Sequence, residues 1–213
     1  NMSTTSIPIQ QRPDVRAHIV EVATKMFHQQ GLRSVTMDDI AHELTMSKRT
    51  LYQIFADKEE LLLACVKHHG EVEAELLENL AEKTNNVLEF LLVFFKEKLK
   101  HIDEVSPQFI SDLTKYPRVI EYINQCKHAQ EDDAVNFLNK GKEQGLFRED
   151  VNFRIVSRQL SSGLDTMVRN GLIEKYPQSE LFANTVIPYI RGCTTAKGMG
   201  LMNWVLLGLI LMT

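Results

Sequence analysis

The chain has 213 residues, of which 44% are hydrophobic and 24% are charged, and its formal net charge is −4. This composition is typical of a folded globular protein and excludes both a polybasic tail and a disordered acidic chain. The three cysteines are far apart and form no CxxC pair, so we expect no disulfide framework, no zinc site and no cofactor. The N-terminus lacks the basic-then-apolar pattern of a signal peptide, so we expect a cytoplasmic protein.

Nearly the whole sequence has helical periodicity. It contains only six prolines and ten glycines, and these fall mostly at the predicted ends of helices. No strand-type alternation is sustained. We therefore predict an all-α fold of about nine to ten helices, in which an N-terminal three-helix unit with helix-turn-helix geometry, residues 1–57, precedes a larger C-terminal helical bundle, residues 58–213.

Signals for the start of a helix are dense near the N-terminus. Thr36 and Asp39 have the spacing of a capping box, Ser47 can cap the following helix, and Asp57 and Glu60 repeat the capping spacing. Helices this short are not stable alone, so they must pack on one another.

The remainder reads as longer helices. They are predicted at about 58–83, 86–103, 106–114, 117–144, 152–172, 178–191 and 195–210. The run 198–213 carries no charge but is shorter than the about 20 apolar residues that a membrane span needs. We expect a buried terminal helix with Trp204 packed inside; the alternatives are a contact with a partner or second copy, and association with a membrane.

The second of the two short helices presents a polar face that suits DNA. Lys48, Arg49, Tyr52 and Gln53 fall at i, i+1, i+4 and i+5, opposite the apolar residues of the helix. Arginine, lysine and glutamine can donate to base edges in the major groove, and tyrosine can reach a phosphate. The alternative is a solvated face with a chance basic pair, because residues 1–60 hold seven basic and eight acidic residues.

The stretch from His18 to Leu63 closely resembles the DNA-binding domain of the TetR family of transcriptional regulators. The matching features are Gly31, Thr36, Ile40-Ala41, Ser47-Lys48, Thr50-Leu51-Tyr52, Phe55 and Lys58-Glu59-Glu60-Leu61. Thr45 stands where the family usually has glycine. Beyond residue 63 the resemblance is looser, and it extends over most of the chain.

The resemblance implies a DNA-binding role for seven residues. They are Thr36, Lys48, Arg49, Thr50, Tyr52, Gln53 and Lys58. Thr36, Tyr52 and Lys58 would contact phosphates, and the other four would face the groove. The alternatives are a surface lysine for Lys58 and partial core packing for Tyr52.

A helix-turn-helix protein normally binds DNA as a two-fold dimer, so we expect a homodimer. Two apolar stripes could form its interface, on the helices at 152–172 and 178–191. They consist of Leu160, Leu164, Met167 and Val168, and of Phe182, Val186, Ile187 and Ile190. The alternative is an ordinary core, which uses the same spacing.

The resemblance also implies a pocket for a small-molecule effector inside the bundle, lined by bulky apolar residues. The candidates are Phe90, Phe94, Phe109, Tyr116, Tyr122, Cys126, Phe137 and Met167. Few charged residues stand out on the inward faces, so we expect an apolar or aromatic effector.

These expectations combine into one hypothesis: a ligand-responsive, homodimeric repressor that binds a pseudo-palindromic double-stranded operator. No catalytic or phosphate-binding motif is present, so we expect no enzyme, and we expect no membrane partner. Two alternatives stay open: a related DNA-binding protein for chromosome organisation or partner recruitment, and a helical small-molecule-binding protein without an operator.

Overall fold

The computed structural model describes the backbone of residues 13–210 and the side chains of residues 14–203. Within this part the fold is all-α, as predicted, with ten α-helices and one 3₁₀ helix at Leu172–Glu174. The α-helices are α1 Pro13–Gln30, α2 Met37–Glu43, α3 Lys48–Ile54, α4 Lys58–Lys83, α5 Val87–Ile102, α6 Pro107–Leu113, α7 Pro117–Glu143, α8 Phe153–Arg169, α9 Gln178–Cys193 and α10 Ala196–Ile210.

The described residues form two compact units. The first contains the N-terminal helices up to Val72 together with Gln108–Tyr122, and the second contains Glu73–Pro107 and the residues from Ile123 onward. This grouping divides the chain within α4 and adds α6 to the N-terminal helices. The functional boundary between residues 57 and 58 stays a prediction.

The first unit is held together by a core shared among its short helices. Ile19 and Phe27 of α1, Ile40 of α2 and Leu51 of α3 are fully buried. Phe55, at the C-cap of α3, is fully buried as well. Because helices of seven residues are unstable in isolation, this common core is what stabilises them.

The predicted caps are present at each helix start. Thr36 and Asp39 form a complete capping box on α2, and the Ser47 side chain accepts from the backbone N–H of Thr50 at the start of α3. Asp57 accepts from the N–H of Glu60, whose own carboxylate accepts from the N–H of Ala56 at 2.9 Å. Each cap satisfies backbone donors that the first turn of a helix leaves unpaired.

The turn between α2 and α3 contains a strained residue. Thr45 has φ of 51°, in the left-handed region that β-branched residues rarely adopt. The turn closes α2 as a Schellman motif, in which the N–H of Thr45 donates to His42 and the N–H of Met46 to Ala41. This motif requires the left-handed conformation at Thr45, which explains why glycine is the usual residue there.

Replacing Thr45 by glycine should therefore stabilise the protein. A left-handed residue with a Cβ is strained by about 1–2 kcal/mol, and the greater chain entropy of glycine offsets roughly 0.5–1 kcal/mol of the gain. We expect a net increase of about 0.5–1 kcal/mol in the free energy of unfolding, measured by urea titration. Thr45→Ala is the control, because it keeps the Cβ; equal stability of the two variants would contradict the explanation.

The second unit has a core contributed by five helices. Its buried residues are Val87, Leu88, Leu92, Val135, Leu146, Phe147, Phe153, Val186, Ile190, Cys193 and Met202. The Phe147 and Phe153 rings meet edge to face at 5.0 Å between centroids. Helix α10 packs along α5, and an antiparallel bridge joins Phe147 to Thr194.

The described part of α10 is docked through its inner face. Met202 is fully buried, and Gly198 lies directly against the carbonyl of Leu146. The predicted burial of Trp204 concerns a side chain outside the described residues. Across the described residues, no helix combines the length and the apolar character needed to cross a membrane.

Candidate DNA-binding surface

Helix α3 separates apolar and polar side chains as the sequence predicts. Leu51 and Ile54 are buried in the first unit, whereas Lys48, Arg49 and Gln53 are exposed. Tyr52 is 41% exposed, so its side chain is only partly packed. The exposed side of α3 therefore offers two cations, an amide and a phenol.

The two cations of α3 differ in their surroundings. The Lys48 ammonium pairs with Asp38 of α2 at 2.8 Å, and this hydrogen bond raises the pKa of Lys48. It also lies 5.9 Å from the centre of the Tyr52 ring. Among the described residues Arg49 has no ion-pair partner. Arg49 can therefore bind DNA without first breaking an ion pair, whereas Lys48 must either keep Asp38 as a second partner or break its ion pair with Asp38.

The two threonines predicted to contact DNA also hold the helix starts. The Thr36 hydroxyl donates to the Asp39 carboxylate at 2.6 Å and accepts from the Asp39 N–H. The bond from the hydroxyl, together with the bond from the Thr36 backbone N–H, lowers the pKa of Asp39. The Thr50 hydroxyl lies 2.7 Å from that of Ser47. Thr36 is exposed and Thr50 half-buried, so capping fixes both hydroxyls while leaving Thr36 open to solvent.

Lys58 is placed differently from the surface lysine considered above. Its ammonium points into the α1–α2 loop, where it donates to the carbonyls of Leu32 and Val35 and lies 5.7 Å from the Phe27 ring centre. Burial lowers the pKa of Lys58, and the charge of Asp112 opposes that effect. An ammonium has three N–H donors, so one is left for a phosphate.

Asp112 is a buried carboxylate that the sequence analysis missed. It is fully buried on α6, where it accepts from the backbone N–H of Arg33 at 3.2 Å, from Gln108 at 3.3 Å and from the Lys115 ammonium. Burial alone would raise the pKa of Asp112, but the hydrogen bonds from Lys115 and Gln108 outweigh it and hold the pKa below its ordinary value. The available signal was its spacing of i+3 from Phe109, on the apolar side of the helix.

The eight candidate effector residues are divided between the two units. In the second unit, Phe90 packs edge to face on Phe137 at 4.7 Å between ring centres and stacks on Phe94 at 6.4 Å. The row of rings continues through Phe95 to Phe182. The structure thus brings three of the candidates together around α5 and α7.

The other candidates lie apart from this row. In the first unit, Phe109 meets the His28 ring edge to face at 4.7 Å between ring centres, and burial lowers the pKa of His28. The Lys67 ammonium lies over the Tyr122 ring. Burial also raises the pKa of Tyr116. In the second unit, the Met167 sulfur accepts from Thr185 and Cys126 is half-buried. Their roles in a pocket stay predictions.

The predicted interface stripe of α9 faces the core of its own unit. Val186 and Ile190 are buried there, and Phe182 and Ile187 pack against the same cluster. The core alternative accounts for these four residues without a second copy. On α8, Leu160, Met167 and Val168 are half-buried and Leu164 is 41% exposed.

A different face of the same two helices carries exposed apolar residues. Ile155 is 65% exposed and Tyr189 is 38% exposed, and both line an open groove of about 600 Å³ between the start of α8 and the end of α9. Pro188 and Gly192 line the same groove. An apolar groove of this kind is a candidate contact surface.

The capped helices α2 and α3, the tight turn between them and the polar face of α3 define a helix-turn-helix protein of the DNA-binding regulator class. The model of the bacterial regulatory proteins of the tetR family matches residues 19–65. The chain is 30% identical over 149 residues to the HTH-type transcriptional repressor KstR2 of Mycobacterium tuberculosis, which covers 67% of this chain and 74% of that repressor. The chain belongs to the TetR family, and it is a transcriptional regulator rather than an enzyme.

Two further comparisons agree with this family. The HTH-type transcriptional repressor NicS of Pseudomonas putida is 24% identical over 163 residues, covering 69% of this chain and 72% of NicS. The solved structure of KstR2, described as a ketosteroid transcriptional regulator of Mycobacterium tuberculosis, superposes with a TM-score of 0.58 at 25% identity. That superposition covers 87% of this chain and 98% of KstR2, so the likeness extends through the helical bundle.

Proposed function

We propose that this chain is a ligand-responsive repressor that binds a pseudo-palindromic operator as a homodimer in the cytoplasm. The observation that carries the proposal is the exposed face of α3, which has two cations and two polar side chains, stands on a buried core and lacks an acidic residue. A rigid helix with such a face fits the major groove. Footprinting on DNA selected by the protein itself tests the proposal.

Within this proposal the seven DNA-binding residues have two kinds of role. Lys48, Arg49, Thr50 and Gln53 face the groove, with Arg49 and Gln53 contributing most to base selection. Thr36, Tyr52 and Lys58 contact phosphates, and such contacts position the protein on DNA without selecting a sequence. The exposure of Thr36 and Tyr52 supports this division.

The dimer we propose is formed by α8 and α9, with the exposed groove at its centre. Ile155, Pro188 and Tyr189 supply apolar area that a second copy would remove from water, and such burial stabilises by about 25 cal/mol per Å². Leu164, the exposed member of the α8 stripe predicted from the sequence, does not line this groove.

Ile155→Glu should convert the dimer to a monomer, because the interface would then bury an unpaired charge. Light scattering after gel filtration measures the mass at micromolar concentration. Leu164→Glu is the matched variant on the other face of α8, and we expect it to remain dimeric. If only Leu164→Glu becomes monomeric, the interface lies on the stripe and not at the groove.

The effector we propose is apolar and contains rings. The row of aromatic side chains around Phe90, Phe94 and Phe137 supports this chemistry, and the similar KstR2 is described as a ketosteroid regulator. Effector binding would favour one arrangement of the bundle and shift α4. This shift would change the distance between the α3 helices of the two subunits and so lower the affinity for the operator.

A ketosteroid is therefore the first probe to test. At one hundred times its dissociation constant, a ligand of the folded state stabilises it by about 2.7 kcal/mol, so the melting temperature should rise. The same compound should release labelled operator DNA, and Phe137→Ala should weaken both effects. No shift and no release with ketosteroids or other polycyclic compounds would contradict an apolar ring-containing effector.

A further inference from the structure

The loop between α1 and α2 is short and tightly held. It runs from Gly31, which has φ of 80°, to Thr36, which caps α2. Leu32 and Val35 are fully buried within it, so their side chains anchor the loop in the core. Their backbone carbonyls are turned to the same group, the ammonium of Lys58.

The first peptide group of interest joins Leu32 to Arg33. Its carbonyl accepts from Lys58, and its N–H donates to the Asp112 carboxylate at 3.2 Å. Because a peptide group is planar, two bonds at its opposite ends fix the orientation of the whole plane. One of these bonds comes from α4 and the other from α6.

The second peptide group joins Val35 to Thr36. Its carbonyl accepts from Lys58, and its N–H donates to the Asp39 carboxylate at 2.8 Å. The orientation of this plane sets where the Thr36 side chain projects at the start of α2. Lys58 thus holds both planes, and Asp112 holds the first of them from the other side.

The charges of this arrangement balance one another. Asp112 is fully buried, where an unpaired charge would be unfavourable, but it bonds to the Lys115 ammonium. Its charge also opposes the burial that lowers the pKa of Lys58. Removing the charge of a buried carboxylate that accepts three hydrogen bonds costs the protein much more stability than removing one partner of an exposed ion pair.

We propose that Lys58 and Asp112 are positioning residues for operator binding, which together orient the α1–α2 loop so that Thr36 meets a DNA phosphate. The inference rests on the proposed function, since it requires the phosphate contact of Thr36. It gives α6, an element outside the three N-terminal helices, an indirect part in DNA binding through the α1–α2 loop. It also gives Lys58 an indirect role that does not depend on touching DNA.

A double-mutant cycle on operator affinity tests this inference in the full-length chain. Thr36→Val removes the hydroxyl with little change of shape, and Asp112→Asn removes the charge. We expect each variant to weaken operator binding about tenfold and the double variant to be hardly weaker than either, a coupling of at least about fivefold. Thermal melting first identifies a temperature at which every variant is folded.

Asp103→Asn is the matched control for the loss of an aspartate charge. Asp103 lies in the second unit and accepts two hydrogen bonds from Ser179. We therefore expect no coupling: the fold-loss of operator affinity in the double variant with Thr36→Val should equal the product of the two single fold-losses. If Asp112→Asn does not fold, Lys58→Met provides the second cycle, because it keeps the apolar stem beside Phe27.

The outcomes separate the inference from the proposed function. If the losses of operator affinity caused by Thr36→Val and by Asp112→Asn or Lys58→Met simply multiply, the positioning role is overturned. Operator binding by the unmodified chain would still leave the proposed function intact. If the unmodified chain selects no operator, or Thr36→Val binds operator normally, the proposed Thr36 contact fails and the inference fails with it.

Discussion

Arg49→Ala should weaken operator binding by about 2–6 kcal/mol, since a lost base-edge contact is worth about 1–3 kcal/mol and occurs once in each half-site. The effect should be large because Arg49 is exposed on α3 and has no ion-pair partner among the described residues. Binding to random DNA should fall much less, so the ratio of operator to random affinity should decrease. Titrations of labelled operator and random duplexes at one salt concentration measure both quantities.

Arg49→Lys is the matched control for charge. It keeps the cation but loses the planar fork with which arginine binds guanine, so random-DNA affinity should be retained while operator preference falls. If both variants lower operator and random affinity by the same factor, Arg49 contacts only the DNA backbone. Gln53→Ala should relax the preference at a different base pair.

Gly198→Ala should destabilise the second unit by about 1–3 kcal/mol, the usual effect of overpacking. A Cβ at this position would overlap the carbonyl oxygen of Leu146 and lie 3.2 Å from the Cβ of Thr194. The Leu146 carbonyl cannot easily withdraw, because it also accepts the N–H of Thr195 at 3.0 Å. The start of α10 must therefore move away from its docking site.

Gly200→Ala provides a control on the same helix. A Cβ at Gly200 would have no atom within 4 Å, so only the better helix propensity of alanine remains, worth about 0.5–1 kcal/mol. Urea titration should thus move the two midpoints in opposite directions. A stabilising Gly198→Ala would show that α10 does not pack against Leu146 as described.

The helices and caps of the first unit were predictable because their signals are local. Thr36, Asp39, Ser47 and Asp57 each act within three residues of their own position, and the structure contains all of these caps. The left-handed conformation of Thr45 was not predicted, because only the family resemblance indicated that glycine is usual at this position. Short-range hydrogen bonding therefore fixed the predicted helix starts of the first unit, while helical periodicity predicted the all-α fold.

The arrangement around Lys58 was not predictable, because it depends on contacts between distant parts of the chain. Arg33 and Asp112 are 79 residues apart, and only tertiary packing brings α6 to the α1–α2 loop. Similarly, the stripe of Val186 and Ile190 has the same spacing whether it faces a core or a partner. Periodicity gives the face of a helix that is apolar but not what covers it.

Selection of bound sequences from a random DNA pool, using the purified full-length chain, tests the central claim most directly. The account predicts enrichment of one inverted repeat whose half-sites are about 34–36 Å apart or a multiple of that distance, with each half protected in a footprint. The Arg49→Ala variant should lose this enrichment. A pool that stays random after repeated selection, with equal binding to all duplexes, would contradict the claim that this protein is a sequence-specific regulator.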